Sequence, residues 1–149
     1  MNIWYFAYGS NVKLDLMREN IGDCKLSKRA IARNFKLIFN QYSKNNWHGY
    51  IANLQRTDNF EDKVLGVVYH ITDAQVSKLQ NFEGAEPMEI SIELEDGNEI
   101  KNAKTIIWNS LEREHEPPHA YRMKMEEGLI EHGYDGALVR KIFIEKFGH

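Results

Sequence analysis

A chain of 149 residues, 42% hydrophobic and 28% charged, carries enough apolar matter for one domain with its own core, which excludes a disordered chain. A formal net charge of −3 excludes the electrostatic footprint of a nucleic-acid binder, and a single cysteine, Cys24, excludes an internal disulfide framework and a multi-cysteine metal cluster. No apolar run is long enough to span a membrane, and the first residues lack the basic and apolar regions of a signal peptide, so the expected location is cytoplasmic, away from nucleic acid and membrane.

The first predicted element is an aromatic-rich strand, Ile3 to Tyr8, broken at Gly9. Asn11 has the chemistry of an N-cap, and Leu14, Met17 and Ile21 then recur at helical spacing. A strand that delivers Gly9-Ser10-Asn11 to a helix start aims backbone N–H groups at one point, where a carboxylate, phosphate or developing oxyanion can sit. Taken alone, the same three residues also fit an ordinary capped connection. Ser10 lacks a G-x-S-x-G elbow and a recognisable His–Asp pair, so it is not read as a nucleophile.

Ile31 to Tyr42, with Phe35, Leu37 and Phe39 in alternation, predicts one strand; Lys44 to Gly49 a turn; and Tyr50 to Leu54 a short strand. The lysines and arginine at Lys25, Lys28 and Arg29 read as a solvated face, as do Lys101 and Lys104. Val64 to Ile71 is a continuous apolar run interrupted by Gly66, the pattern of a buried strand with a close contact at the glycine.

Asp73 to Phe82 predicts a helix with Asp73 at its N-cap and Gly84 past its end. Val76 and Leu79 mark its inward face, and Glu83 falls on that same stripe. A carboxyl group there is disfavoured in its charged form by desolvation and by the negative end of the helix dipole, so its pKa is expected to rise into the range useful for moving protons. The bland alternative is a frayed last turn with Glu83 in water.

Met88 to Leu94, the turn Asp96-Gly97 and Ile100 to Trp108 predict a hairpin; Tyr121 to His132 and Ala137 to Phe147 predict two closing helices. Glu112, Glu114 and Glu116 read as a solvated charged loop, and His115 and His119 lack metal-site spacing. Trp4, Trp47 and Trp108 read as core or pocket wall. Many short strands without strict βαβ alternation predict an α+β domain, over residues 1–149, with a strongly curved or closed mixed sheet.

Four segments together resemble the γ-glutamylcyclotransferase family: Tyr5-Phe6-Ala7-Tyr8-Gly9-Ser10-Asn11; Trp47-His48-Gly49 with Ile51-Ala52; Val67-Val68-Tyr69 with Phe82-Glu83-Gly84; and Glu116-Pro117-Pro118-His119-Ala120-Tyr121 with Gly128 and Glu131-His132-Gly133. The resemblance implies a small mixed β-barrel flanked by helices, acting as a monomer or homodimer. It implies Glu83 as catalytic acid–base, with Tyr5 to Asn11 and Tyr121 holding the γ-glutamyl part of a small substrate. It implies neither metal nor cofactor, and a product of 5-oxoproline.

Two departures stand out. Pro118 replaces the serine that often precedes the family tyrosine, and Met88-Glu89 occupies the region where the family usually carries a tyrosine. Glu89 is therefore expected at the pocket rim, where a carboxylate favours neutral or cationic acceptors. The first loop departs from the glutathione-specific branch at the residue after Ser10. Two other readings of the same fold stand beside the cyclase: a non-catalytic module binding a small metabolite or a partner, and an enzyme removing a γ-glutamyl group from a larger acceptor.

Overall fold

The computed structural model describes residues 2–24 and 26–149; Lys25 lies outside the described residues. Strand β1 (Asn2–Ala7) leads through a single 3-10 turn (Ser10–Val12) into helix α1 (Leu14–Ile21). Strands β2 (Ser27–Arg33), β3 (Phe35–Ser43), β4 (Gly49–Arg56) and β5 (Lys63–Thr72) follow, then helix α2 (Asp73–Glu83). Strands β6 (Pro87–Leu94) and β7 (Glu99–Ile106) precede helices α3 (His119–Glu131) and α4 (Gly136–Phe147).

Five strands close a barrel in the order β1-β5-β2-β6-β7, while β3 and β4 form a separate two-stranded sheet. The barrel is mixed because β7 returns parallel to β1, through the pair Tyr5 and Lys104, whereas the other pairings are antiparallel. Closure removes the exposed sheet edges that a five-stranded open sheet leaves.

Side-chain alternation along β1 and β5 sorts the core into two clusters. Phe6 and Val68 pack with the β3–β4 sheet and with Tyr121, Met125 and Phe143 of the C-terminal helices. Tyr5, Ala7, Val67, Tyr69 and Ile71 pack with Met17 and Ile21 of α1 and Leu79 of α2. The glycine inside β5 is required by this crossing. A Cβ on Gly66 would lie 2.4 Å from the Ala7 carbonyl oxygen and 2.5 Å from the Phe6 ring.

Three expectations need correction. The single strand expected over Ile31 to Tyr42 is two strands, divided at Asn34, which adopts φ +70°. Helix α2 is capped by Thr72 rather than Asp73: the Thr72 side chain accepts from Gln75 N–H and the Gln75 side chain returns to Thr72 N–H. Asn11 does not cap α1 either. Lys13 occupies that position without a side-chain cap, and Glu131 of α3 accepts from the Leu14 N–H at 2.8 Å instead.

The acidic segment before α3 is also less solvated than expected. A bulge between Phe39 and Gln41 frees backbone groups of β3. Glu114 accepts from Phe39 N–H at 3.0 Å and from Lys146 Nζ at 3.0 Å, and Ser110 donates its hydroxyl proton to the Asn40 carbonyl at 2.7 Å. These bonds fasten the long connection between β7 and α3 across the β3–β4 sheet.

Candidate active site

The end of β1, the 3-10 turn, the end of α2, the β3–β4 turn, the segment after β7 and the start of α3 meet around a cavity of about 260 Å³. Tyr5, Ala7, Tyr8, Gly9, Ser10, Asn11, Glu83 and Tyr121 all line it. Phe6 does not. The alternation that turns Tyr5 and Ala7 toward the cavity turns Phe6 into the core, fully buried, where its carbonyl accepts from the Thr105 hydroxyl at 2.7 Å.

Glu83 is the last residue of α2, and Gly84 beyond it is left-handed at φ +74°. That glycine ends the helix and leaves the glutamate at the cavity wall rather than in water. Its carboxyl pKa is pushed up to about 7, first by desolvation, with the Asn11 hydrogen bond opposing. Asn11 Nδ2 donates to Glu83 Oε1 at 3.3 Å, and Trp108 Nε1 donates to the Glu83 carbonyl at 3.3 Å. Three phenols stand around this carboxyl. Burial raises the pKa values of Tyr5, Tyr8 and Tyr121, so all three present neutral hydroxyls at ordinary pH.

The first loop is held from behind. The Tyr69 hydroxyl donates to the Asn11 carbonyl at 2.7 Å, and the Tyr8 hydroxyl donates to the Ile106 carbonyl. Gly128 of α3 allows the helix to touch the loop backbone, since a Cβ there would lie 2.4 Å from Lys13 N. Gly9 is needed for space, not for an unusual φ: its φ is −105°, but a Cβ would lie 2.2 Å from the Tyr121 hydroxyl oxygen. That same oxygen accepts from Ala52 N–H of β4 at 3.1 Å. Trp47 meets the Tyr121 ring edge-on, with centroids 5.1 Å apart.

Sequence reasoning missed much of the cavity. The end of β3, Gln41 to Ser43, and the turn residues Lys44 to Trp47 overhang it, and Ile51, Ala52, Phe82, Ile106 and Trp108 complete the wall. Of these, the sequence marks Trp47 and Trp108 as core or pocket wall, and Trp47, Ile51, Ala52 and Phe82 lie in segments that resemble the family. Glu89 is not among the lining residues. On β6 it points away from the cavity, sits 3.6 Å from Lys104 Nζ and borders a second depression. The charged side chain that the β3–β4 turn adds to the lining is Lys44, opposite in sign to the expected rim carboxylate.

Asn53 ties the wall together. Its Nδ2 donates to Asn40 Oδ1 at 3.0 Å and to the Trp108 carbonyl at 2.9 Å, while its Oδ1 accepts from Leu54 N–H at 2.9 Å and Trp108 N–H at 3.0 Å. Every bonding capacity of that buried amide is used, and two of its four bonds fix the Trp108 backbone to the β3–β4 sheet.

Comparison with known proteins places the chain in a family and a fold. The family model described as gamma-glutamyl cyclotransferase, AIG2-like, matches residues 5–127. A solved gamma-glutamyl cyclotransferase superposes with TM-score 0.85 at 23% identity, over 95% of this chain and 86% of its own. An uncharacterized protein from Homo sapiens gives 0.82 at 24% identity, over 95% and 86%. A gamma glutamyl cyclotransferase specific to glutathione, from yeast, gives 0.68 at 13% identity, over 99% and 98%. No curated protein matches by sequence. At such identities the solved structures share the fold with this chain.

Proposed function

The chain belongs to the gamma-glutamyl cyclotransferase, AIG2-like family, and on that premise we propose that it converts a γ-glutamyl amino acid or γ-glutamyl amine to 5-oxoproline and the free amine. The observation that carries this reading is the Glu83 carboxyl, with its pKa raised to about 7, in a cavity shared with the Gly9–Asn11 loop and Tyr121. A carboxyl of that proton affinity accepts and returns protons near neutrality with little driving force either way.

The reaction is intramolecular. Ionised Glu83 takes a proton from the substrate α-ammonium, and the neutral nitrogen attacks the γ-carbonyl carbon. The new C–N bond closes a five-membered ring and pushes charge onto the carbonyl oxygen, which meets backbone N–H groups of the Tyr8–Asn11 loop. The bond to the acceptor nitrogen then breaks. Two protons leave the α-nitrogen and two reach the departing nitrogen, with Glu83 carrying them one at a time. The carboxyl finishes as it began, so the balance needs no further reactant.

Geometry supplies the rest of the rate. An open γ-glutamyl chain has to fold back on itself, and holding it in an attack conformation contributes several kcal/mol, with ~7–11 kcal/mol the upper range for ideal orientation. The wall of Trp47, Trp108 and Tyr121 gives the folded chain a surface to pack on. The test is a panel of γ-glutamyl amino acids and γ-glutamyl amines incubated with the protein. The expected result is 5-oxoproline and free amine in equal amounts from at least one member. Hydrolysis to glutamate, or no release from any member, contradicts the assignment.

A further inference from the structure

Asn11 stands between Glu83 and a residue that no motif singled out. Asn20, on α1, donates from Nδ2 to Asn11 Oδ1 at 2.8 Å, and Asn11 Nδ2 in turn donates to Glu83 Oε1 at 3.3 Å. A side-chain amide has one accepting end and one donating end. With its oxygen engaged by Asn20, Asn11 has only its NH₂ group to offer Glu83. That group bonds to a carboxylate oxygen and so favours the ionised form. Turned over, the amide would present an oxygen, which only a protonated carboxyl can meet. We propose that Asn20 is a positioning residue: it holds the Asn11 amide in the orientation that keeps Glu83 able to ionise in a site whose burial opposes ionisation.

The surroundings make Asn20 the orienting element. The Asn11 backbone is fixed independently, by the Tyr69 hydroxyl on its carbonyl and by the turn bonds from Val12 N–H to the Gly9 carbonyl and from Lys13 N–H to the Ser10 carbonyl. Only the side-chain rotation is left to Asn20. Asn11 is 8% exposed, so water is a poor substitute for the donor that Asn20 supplies. Asn20 itself is carried on the face of α1 beside Met17 and Ile21, whose full burial holds the helix in place.

Other groups around Glu83 do not replace this control. Tyr5 of β1, Tyr8 of the loop and Tyr121 of α3 are the titratable neighbours, each kept neutral by burial. Lys44 lines the cavity from the β3–β4 turn. Among the described residues, the hydrogen bonds of the Asn11 amide go to Asn20 and Glu83 and to none of these.

The test measures the Glu83 titration directly in the ligand-free protein, by carboxyl carbon-13 NMR, for wild type, Asn20→Leu and Asn20→Asp. Asn20→Asp accepts from Asn11 Nδ2 and turns Oδ1 toward Glu83, so the titration should move up by about 1 unit or more, roughly tenfold in proton affinity. Asn20→Leu removes the orienting donor without adding charge and should move it up by less. Because Asn20→Asp also acts through space, both changes are repeated in an Asn11→Leu background. There the upward shift should shrink to the through-space part and the Asn20→Leu shift should vanish. The acid limb of the kcat/KM profile should follow the NMR titration.

An unchanged titration in both Asn20 variants overturns the proposal. So does an Asn20→Asp shift of the same size with and without Asn11. The meaning for turnover rests on the cyclase reading, but the titration does not. If Glu83 responds to Asn20 while no γ-glutamyl compound is cyclised, the positioning role stands and the assigned reaction falls.

Discussion

Glu83 imposes a cost on the fold that its proposed chemistry explains. Its carboxyl titrates near 7 in the folded protein against an ordinary value of 4.5. Between those values the folded state holds a proton that the unfolded chain has released. Stability therefore declines as pH rises through that window and levels off above about 7. Glu83→Gln removes the penalty. The variant should melt higher than wild type at pH 8, by up to about 3 kcal/mol of stability, and should match it near pH 4. Equal melting curves at both values contradict the raised pKa. Gly9 makes a second residue-level case. Gly9→Ala drives a methyl group into the Tyr121 hydroxyl, so it should lower both stability and turnover. Tyr121→Phe deletes the clashing oxygen, leaving the next ring atom at 3.4 Å, an ordinary contact. Adding it to Gly9→Ala should recover much of the lost melting temperature, whereas simple additivity of two losses would show that the clash is not the cause.

At the scale of elements, some of the chain declares itself locally and some does not. Gly84 ends α2 and Asp96-Gly97 turns the β6–β7 hairpin as short-range chemistry dictates, and Gly66 inside an apolar run marks the tight crossing of β5 over β1. The break at Asn34 was hidden because the buried set switches there from even positions, Ala30 and Ala32, to odd ones, Phe35, Leu37 and Phe39. Two alanines are too small to announce that they face the core, so the aromatic alternation looks like one strand. The Glu83 position was legible for a related reason: a carboxylate breaks the apolar stripe of α2. Glu89 misled because its place in a resemblance says nothing of which face of β6 it occupies; the strand alternation that buries Ile90 and Ile92 turns it outward. The cavity roof was illegible because it comes from long-range bonds. Asn53 shows how strong they are. Asn53→Leu leaves Trp108 N–H and its carbonyl without their buried partner, at about 1–3 kcal/mol each if unsatisfied. The variant should lose several degrees of melting temperature, and its Trp108 fluorescence should report increased exposure. An unaltered emission would mean that Trp108 is held by packing alone.

For the molecule as a whole, barrel closure is what makes the site. Residues from both halves of the chain, Asn11, Ala52, Glu83, Trp108 and Tyr121, are brought together by parallel return of β7 to β1 and by the docking of α3 on the first loop. Gly49 packs so tightly on Pro118 that a Cβ would lie 2.4 Å from the proline ring, so two of the segments that resemble the family are in contact with each other. The family follows from the sequence match over residues 5–127; the proposed reaction rests on one carboxyl within the fold. The most direct measurement compares 5-oxoproline release by wild type and Glu83→Gln on the best γ-glutamyl substrate, with substrate affinity measured in parallel by calorimetry. The amide keeps the size of the side chain and cannot carry protons. Turnover should fall by ~10²–10⁴-fold while affinity changes little. Near wild-type turnover by the variant would contradict the account.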